Sequence, residues 1–131
     1  YTNVPIKKII AIKYDLIVSI NVIYHGRRKS IGMILDKIHK KLKKNALFYL
    51  TFLDRNDDKY GIGKEVEPHT FMSDLSMHEG DIHYFADESD VKDLFKSFEI
   101  ISLKKVENQW IQKGKKRFSS FWKMYCKPIF T

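Results

Sequence analysis

His25, His69, His78 and His83, with Glu65, Glu67 and the tyrosines Tyr24, Tyr60 and Tyr84, are the side chains of this sequence most able to do chemistry. A histidine can take, give or orient a proton near neutral pH. It can also bind a metal, but these four with the two glutamates match no standard zinc spacing. Cys126 is alone, which excludes an internal disulfide and a cysteine-rich metal site. No metal is assigned.

The elements that must position these residues can be read from periodicity. Tyr14 to Ile23 is nearly all apolar and β-branched, as in a strand covered on both faces, and Gly26 breaks it. From about Arg28 to Lys44, Ile31, Ile34, Leu35, Ile38 and Leu42 form one stripe at helical spacing. Asn45 supplies the stop. Ala46 to Leu53 is a second apolar strand. Strand, helix, strand at this spacing implies a right-handed crossover and a parallel pair. Ligands bind beyond the carboxyl ends of such strands, which makes Ser19 to His25 and Thr51 to Asp54 a ligand rim.

Asp54 to Asp87 keeps no period of 2 or 3.6, yet carries Tyr60, Phe71, Tyr84 and Phe85 between glycines and Pro68. A long aromatic-rich aperiodic segment inside a domain reads as a functional lid, with Gly61 and Gly63 as hinges. Asp87-Glu88-Ser89 opens a short helix through Val91, Leu94 and Phe95. Phe98 to Val106 and Arg117 to Cys126 read as strands of an antiparallel hairpin turning at Lys113-Gly114-Lys115. The organisation expected is therefore 14–53 strand-helix-strand, 54–87 lid, and 88–131 helix and hairpin.

At 131 residues, with 44% hydrophobic and 14% aromatic residues, the chain is long and apolar enough for one core. No apolar run approaches the ~20 residues that span a bilayer, so no membrane partner is assigned. Neither an initiator Met nor a signal-peptide pattern opens the sequence, which reads as a fragment. The net charge of +8 gathers in Arg27, Arg28, Lys29, Lys37, Lys40, Lys41, Lys43 and Lys44, mostly along one helix whose outer face must be polar anyway. That distribution favours a solvated face over a nucleic-acid site.

The order of elements resembles the C-terminal half of class I S-adenosylmethionine-dependent methyltransferases, of the small-molecule type that includes tellurite-resistance-like and ubiquinone-biosynthesis-like members. Tyr14-Asp15-Leu16-Ile17-Val18-Ser19 resembles the family's fourth strand, and Val22-Ile23-Tyr24-His25 its end. Leu42 to Phe48 stands where the family carries a leucine-lysine-proline-glycine-glycine turn, here without the proline and glycines. Tyr60 to Phe71 and Ile82-His83-Tyr84-Phe85 resemble the lid of one subgroup, Asn3-Val4-Pro5-Ile6 a turn after the third strand, and Lys127-Pro128 the family ending.

The resemblance implies a Rossmann-like α/β half-sheet with parallel strands, helices and a terminal antiparallel hairpin. It implies a cytoplasmic enzyme that moves a methyl group from S-adenosylmethionine to a small-molecule acceptor. By position, Ser19, Ile20, Asn21 and Val22 would lie beside the cofactor, and Tyr24 and His25 on the acceptor side. His25 would deprotonate or orient the acceptor; it can equally fill a crevice or cap a helix. Tyr60, Glu65, Glu67, His69, Thr70, Phe71, His83, Tyr84 and Phe85 would form the acceptor pocket, with the two glutamates either receiving a cationic group or simply solvated. The glycine-rich loop and the ribose-binding acid of the family are absent. A missing N-terminal half, or another chain, would then cover the exposed sheet edge. The alternative is a non-catalytic α/β remnant or binding module that offers its basic face to a polyanion or a protein.

Overall fold

The computed structural model describes residues 12–72 and 82–130. The lead-in containing Pro5 and the lid histidine His78 lie outside the described residues. The elements are β1 (Tyr14–Ser19), α1 (Arg28–Lys41), β2 (Leu42–Leu53), β3 (Lys64–Glu67), β4 (Thr70–Met72), β5 (Ile82–Tyr84), α2 (Glu88–Leu94), β6 (Phe98–Gln112) and β7 (Lys115–Pro128).

A four-stranded sheet runs in the order β1-β2-β7-β6. β1 and β2 are parallel, and β7 is antiparallel to both β2 and β6. Alternation decides which residues reach the core. Phe48, Leu50 and Phe52 of β2 stand opposite Cys126, Met124 and Trp122 of β7 and are buried. They cluster with Ile31 and Leu35 of α1, Val91 of α2, Phe95 and Phe98. The other face is open among the described residues. Leu16 and Val18 are 54% and 51% exposed, their partners Leu47 and Tyr49 are half-buried, and Tyr125 beside Tyr49 is exposed. The strand expected to be covered on both faces is covered on one.

Three boundaries differ from the sequence reading, each for a local reason. β1 ends at Ser19 rather than Ile23, because Asn21 takes a positive φ of 57° and gives its N–H to Thr51 Oγ1 at 2.9 Å. The chain then turns Ile23 and Tyr24 into the core. α1 ends at Lys41, three residues early. Leu42 is fully buried as the first residue of β2, paired with Tyr14. Exposed Lys43, Lys44 and Asn45 then bulge out before Leu47 meets Leu16, with Asn45 at φ 66°. The hairpin strands β6 and β7 run several residues beyond the ends expected, because cross-strand pairing continues to Gln112 and Lys115.

The segment expected to be aperiodic holds a second sheet, ordered β3-β4-β5 and antiparallel throughout. Strands of three or four residues are too short to show a period. β5 is tied to the rim after β1 by the bond from Tyr84 N–H to Tyr24 O, and the chain just beyond β5 is tied to the end of β2 by that from Ala86 N–H to Leu53 O, both 2.9 Å. α2 opens where expected, at Asp87, and closes a capping box there: the Asp87 carboxylate accepts from the Asp90 N–H while Asp90 accepts from the Asp87 N–H.

Candidate functional site

At the carboxyl end of β1 the chain folds into a tight rim. Asn21 and Thr51 are linked twice, since the Thr51 hydroxyl takes the Asn21 N–H and lies 3.3 Å from Asn21 Oδ1. This ties the ends of β1 and β2 together. Ile20 and Val22 remain exposed beside it, and Ser19 is half-buried. His25 follows on the exposed surface with its Nδ1 2.9 Å from the Val22 carbonyl. A carbonyl only accepts, so the neutral ring carries its hydrogen on Nδ1 and leaves the Nε2 lone pair for another group. Tyr24 is buried and stacks on His25 at 4.5 Å between centroids. Burial, and then the charge of Asp57, push the Tyr24 phenol up, so it stays protonated at neutral pH.

His83, on β5, joins this rim to a cavity. Its ring is 4.7 Å from that of His25 and 5.9 Å from that of Tyr24. The cavity, of about 180 Å³, is lined by Lys59, Ile62, Phe71, His83 and Phe85. Behind its wall, Tyr60, Phe71 and Phe85 pack edge to face, with Tyr60 5.0 Å from Phe71 and 5.4 Å from Phe85. The Tyr60 hydroxyl lies 2.6 Å from His69 Nδ1, which fixes the Tyr60 ring.

Not all of the residues expected to form an acceptor pocket face it. Phe71, His83 and Phe85 line the cavity and Tyr60 backs it. His69 sits at the β3–β4 turn with φ 60°, its N–H bonded to Glu65 Oε2 at 3.0 Å. Glu67 is 3.8 Å from Arg27. Both glutamates are thus turned to internal contacts. Thr70 is buried and bonded to the Pro68 carbonyl. Tyr84 is 1% exposed, with its hydroxyl bonded to Arg28, and burial followed by the Asp90 charge pushes its pKa up to about 12. Asp54, placed on the rim by the sequence, turns away from it toward Ser120.

Lys59 and Ile62 were missed, because a lysine and an isoleucine in a glycine-rich loop carry no signal of their own. Arg28 and Arg55 were missed too. Arg28 bonds Tyr84, Asp90 and Asp93, and Arg55 bonds Asp87 and Asp90, so the two arginines hold α2 against α1 and the loop after β2. Among the described residues, no group of three or more histidine, cysteine or acidic side chains is placed to hold a metal ion. No described helix is long and apolar enough to cross a membrane.

Tyr84→Ala should therefore cost about 3–5 kcal/mol of stability by opening a cavity in the core, whereas Tyr84→Phe should cost about 1 kcal/mol. Thermal unfolding of both variants checks this. A Tyr84→Ala protein as stable as the parent would mean that the ring faces a ligand rather than the core.

No family model matches the sequence, and no curated protein matches it. The fold does match solved structures. A SAM-dependent methyltransferase from Methanosarcina mazei superposes with a TM-score of 0.66 at 17% identity, over 91% of this chain and 61% of that one. A 1,6-didemethyltoxoflavin-N1-methyltransferase from Burkholderia thailandensis, solved with 1,6-didemethyltoxoflavin and S-adenosylhomocysteine bound, gives 0.64 at 13% identity, over 90% and 45%. TehB from Haemophilus influenzae gives 0.59 at 13% identity, over 90% and 36%. The chain thus spans between about a third and three fifths of the length of these structures. At such identities the likeness is one of fold, and it agrees with the resemblance in the sequence: the chain has the fold of the C-terminal portion of class I S-adenosylmethionine-dependent methyltransferases.

Proposed function

We propose that this chain is the C-terminal half of a cytoplasmic S-adenosylmethionine-dependent methyltransferase acting on a small-molecule acceptor, with residues 54–87 as the acceptor-side lid. The observation that carries the reading is the junction of rim and cavity: His25, on the rim that follows β1, lies against His83 of the cavity wall, 4.7 Å between rings. A methyl donor on one side and an acceptor on the other would meet there.

Ser19, Ile20, Asn21 and Val22 fit one side of the cofactor, because the Asn21–Thr51 link holds a short rim of alternating polar and exposed apolar groups. S-Adenosylmethionine, when bound, supplies an electrophilic methyl on a sulfonium. His25, with its Nε2 lone pair outward, takes the acceptor proton, and buried Tyr24 holds the imidazole by stacking. The aromatic wall excludes water from the approach. The remaining cofactor contacts are assigned to a segment covering the apolar sheet face of Leu16, Val18, Leu47, Tyr49 and Tyr125 and the edge of β1 that is free among the described residues.

The test is a radiolabelled methyl-transfer assay on this chain together with that covering segment. His25→Gln should lower kcat by roughly 10²-fold, the usual share of a general base, with KM for S-adenosylmethionine unchanged. Unchanged turnover in the variant would remove His25 from the chemistry. Absence of transfer to any small molecule would overturn the function.

A further inference from the structure

We infer that the cavity selects a planar aromatic ligand bearing a negative charge, a carboxylate or phenolate-type anion, and rejects the cationic ligand that the acidic residues of the sequence suggested. The inference deepens the acceptor-pocket reading and names its substrate class. Three observations carry it.

The first is the removal of the acids. Glu65 is turned to the His69 N–H and Glu67 to Arg27, and neither lines the cavity. A cation entering it would find no carboxylate among the described lining residues. The second is the sign of what does line it. Lys59 contributes an ammonium, and His83 a ring whose N–H can donate a hydrogen bond. The backbone of Lys59 is fixed by its N–H bond to Asp57 Oδ1 at 3.0 Å, so its stem leaves from a defined point beside the cavity. The third is the shape and polarity of the interior. Phe71 and Phe85 are buried, Tyr60 is locked behind them, and the volume of about 180 Å³ has room for a single substituted ring but not a large one. An aromatic box is often a cation site, because ring faces carry negative charge. Here Tyr60 packs edge to face against both Phe71 and Phe85, with interplanar angles of 73° and 87°, so the rings engage one another, and the Lys59 ammonium on the cavity lining opposes an incoming cation. A flat ring enters between apolar walls while its anionic substituent remains at the Lys59 side, partly hydrated.

Ligand-observed NMR on the 131-residue chain tests this with benzoate, cyclohexanecarboxylate and benzyltrimethylammonium as probes. Benzoate should bind, and each of the other two should bind at least about fivefold more weakly. Lys59→Gln should weaken benzoate about fivefold, the scale of a partly exposed ion pair. Ile62 is 63% exposed where it borders the cavity, so it can carry a charge without disturbing the core. Ile62→Glu should abolish benzoate binding, and Ile62→Lys should tighten it. Tighter binding of benzyltrimethylammonium than of benzoate, or benzoate binding indifferent to all three substitutions, would overturn the inference. The assays separate the two readings. Benzoate binding with these charge effects but no methyl transfer by the completed enzyme would sink the proposed function and leave the cavity's selectivity standing. Methyl transfer to a cationic or non-aromatic acceptor would do the reverse.

Discussion

Asp54→Ala is expected to destabilise the chain by about 3 kcal/mol, the scale of leaving buried polar groups without their charged partner, and to lower the melting temperature by roughly 10 °C. The reason lies in how β7 ends. β2 pairs with β7 from Phe121 to Cys126 and no further, although β7 begins at Lys115. Residues 118–120 would be left with their outward backbone groups unpaired. The loop after β2 takes over that edge with aspartate side chains. The Ser120 N–H donates to Asp57 Oδ2 at 3.0 Å and the Phe118 N–H to Asp58 Oδ2 at 2.9 Å. The Asp54 and Asp58 N–H groups donate to the Ser120 and Phe118 carbonyls. Asp54, 2% exposed, also accepts from the Ser120 hydroxyl at 2.8 Å and the Asn56 N–H at 3.1 Å, with Lys105 Nζ 3.5 Å away. Asp57→Ala should behave alike.

This clip also predicts the acid response. The hydrogen bond from Arg117, helped by the Phe118 N–H, holds the Asp58 carboxyl below the usual carboxylate range. A group whose pKa is lower folded than unfolded stabilises the fold fully above its unfolded value, near 4, and loses that contribution as pH falls through the folded value. Asp58→Asn should therefore be less stable than the parent at pH 7, with the gap closing below about pH 4. Denaturant titrations across pH check both results. An Asp54→Ala protein unfolding at the parent's midpoint, or an Asp58→Asn gap that stays constant down to pH 2, would show that the loop does not clamp β7.

The second large effect concerns association. Among the described residues, the open face of the four-stranded sheet and the unpaired edge of β1 together present Tyr14, Leu16, Val18 and Tyr125, all exposed. A contiguous apolar patch beside a free strand edge pairs with whatever strand or surface meets it. By itself the chain should therefore form dimers or larger species, and the Leu16→Lys, Val18→Lys double variant should sediment as a monomer with the same circular dichroism. Both side chains already stand in water at half their surface, so the substitution costs the fold little. A parent chain that sediments as a monomer at every concentration would show that this face needs no cover.

The sequence by itself determined the elements that are long enough to repeat. The apolar strand of Ala46 to Leu53, the stripe Ile31, Leu35 and Ile38 of α1, and the Asp87-Glu88-Ser89 opening of α2 are local patterns, and all form where local propensity and burial agree. The mixed α/β, methyltransferase-like order of elements was legible for the same reason, since element order survives when little residue identity does. It also placed Phe71, His83 and Phe85 in one region, because aromatic and histidine side chains concentrated in a segment without a period stand out. Tertiary structure alone decided the rest. Leu42 satisfies a helical stripe and a strand equally, and only its pairing with Tyr14 makes it a strand residue. Asp54, Asp57 and Asp58 look like a solvated turn until Ser120 and Phe118, more than fifty residues away, present unpaired amides to them. Glu65 and Glu67 look like a receptor for a cation until the His69 N–H and Arg27 engage them, and Lys59, unremarkable in the sequence, then lines the cavity instead. A side chain's type fixes what it can bind, but the partner nearest to it in the fold fixes what it does bind, and that distance is not encoded in any short window of the chain.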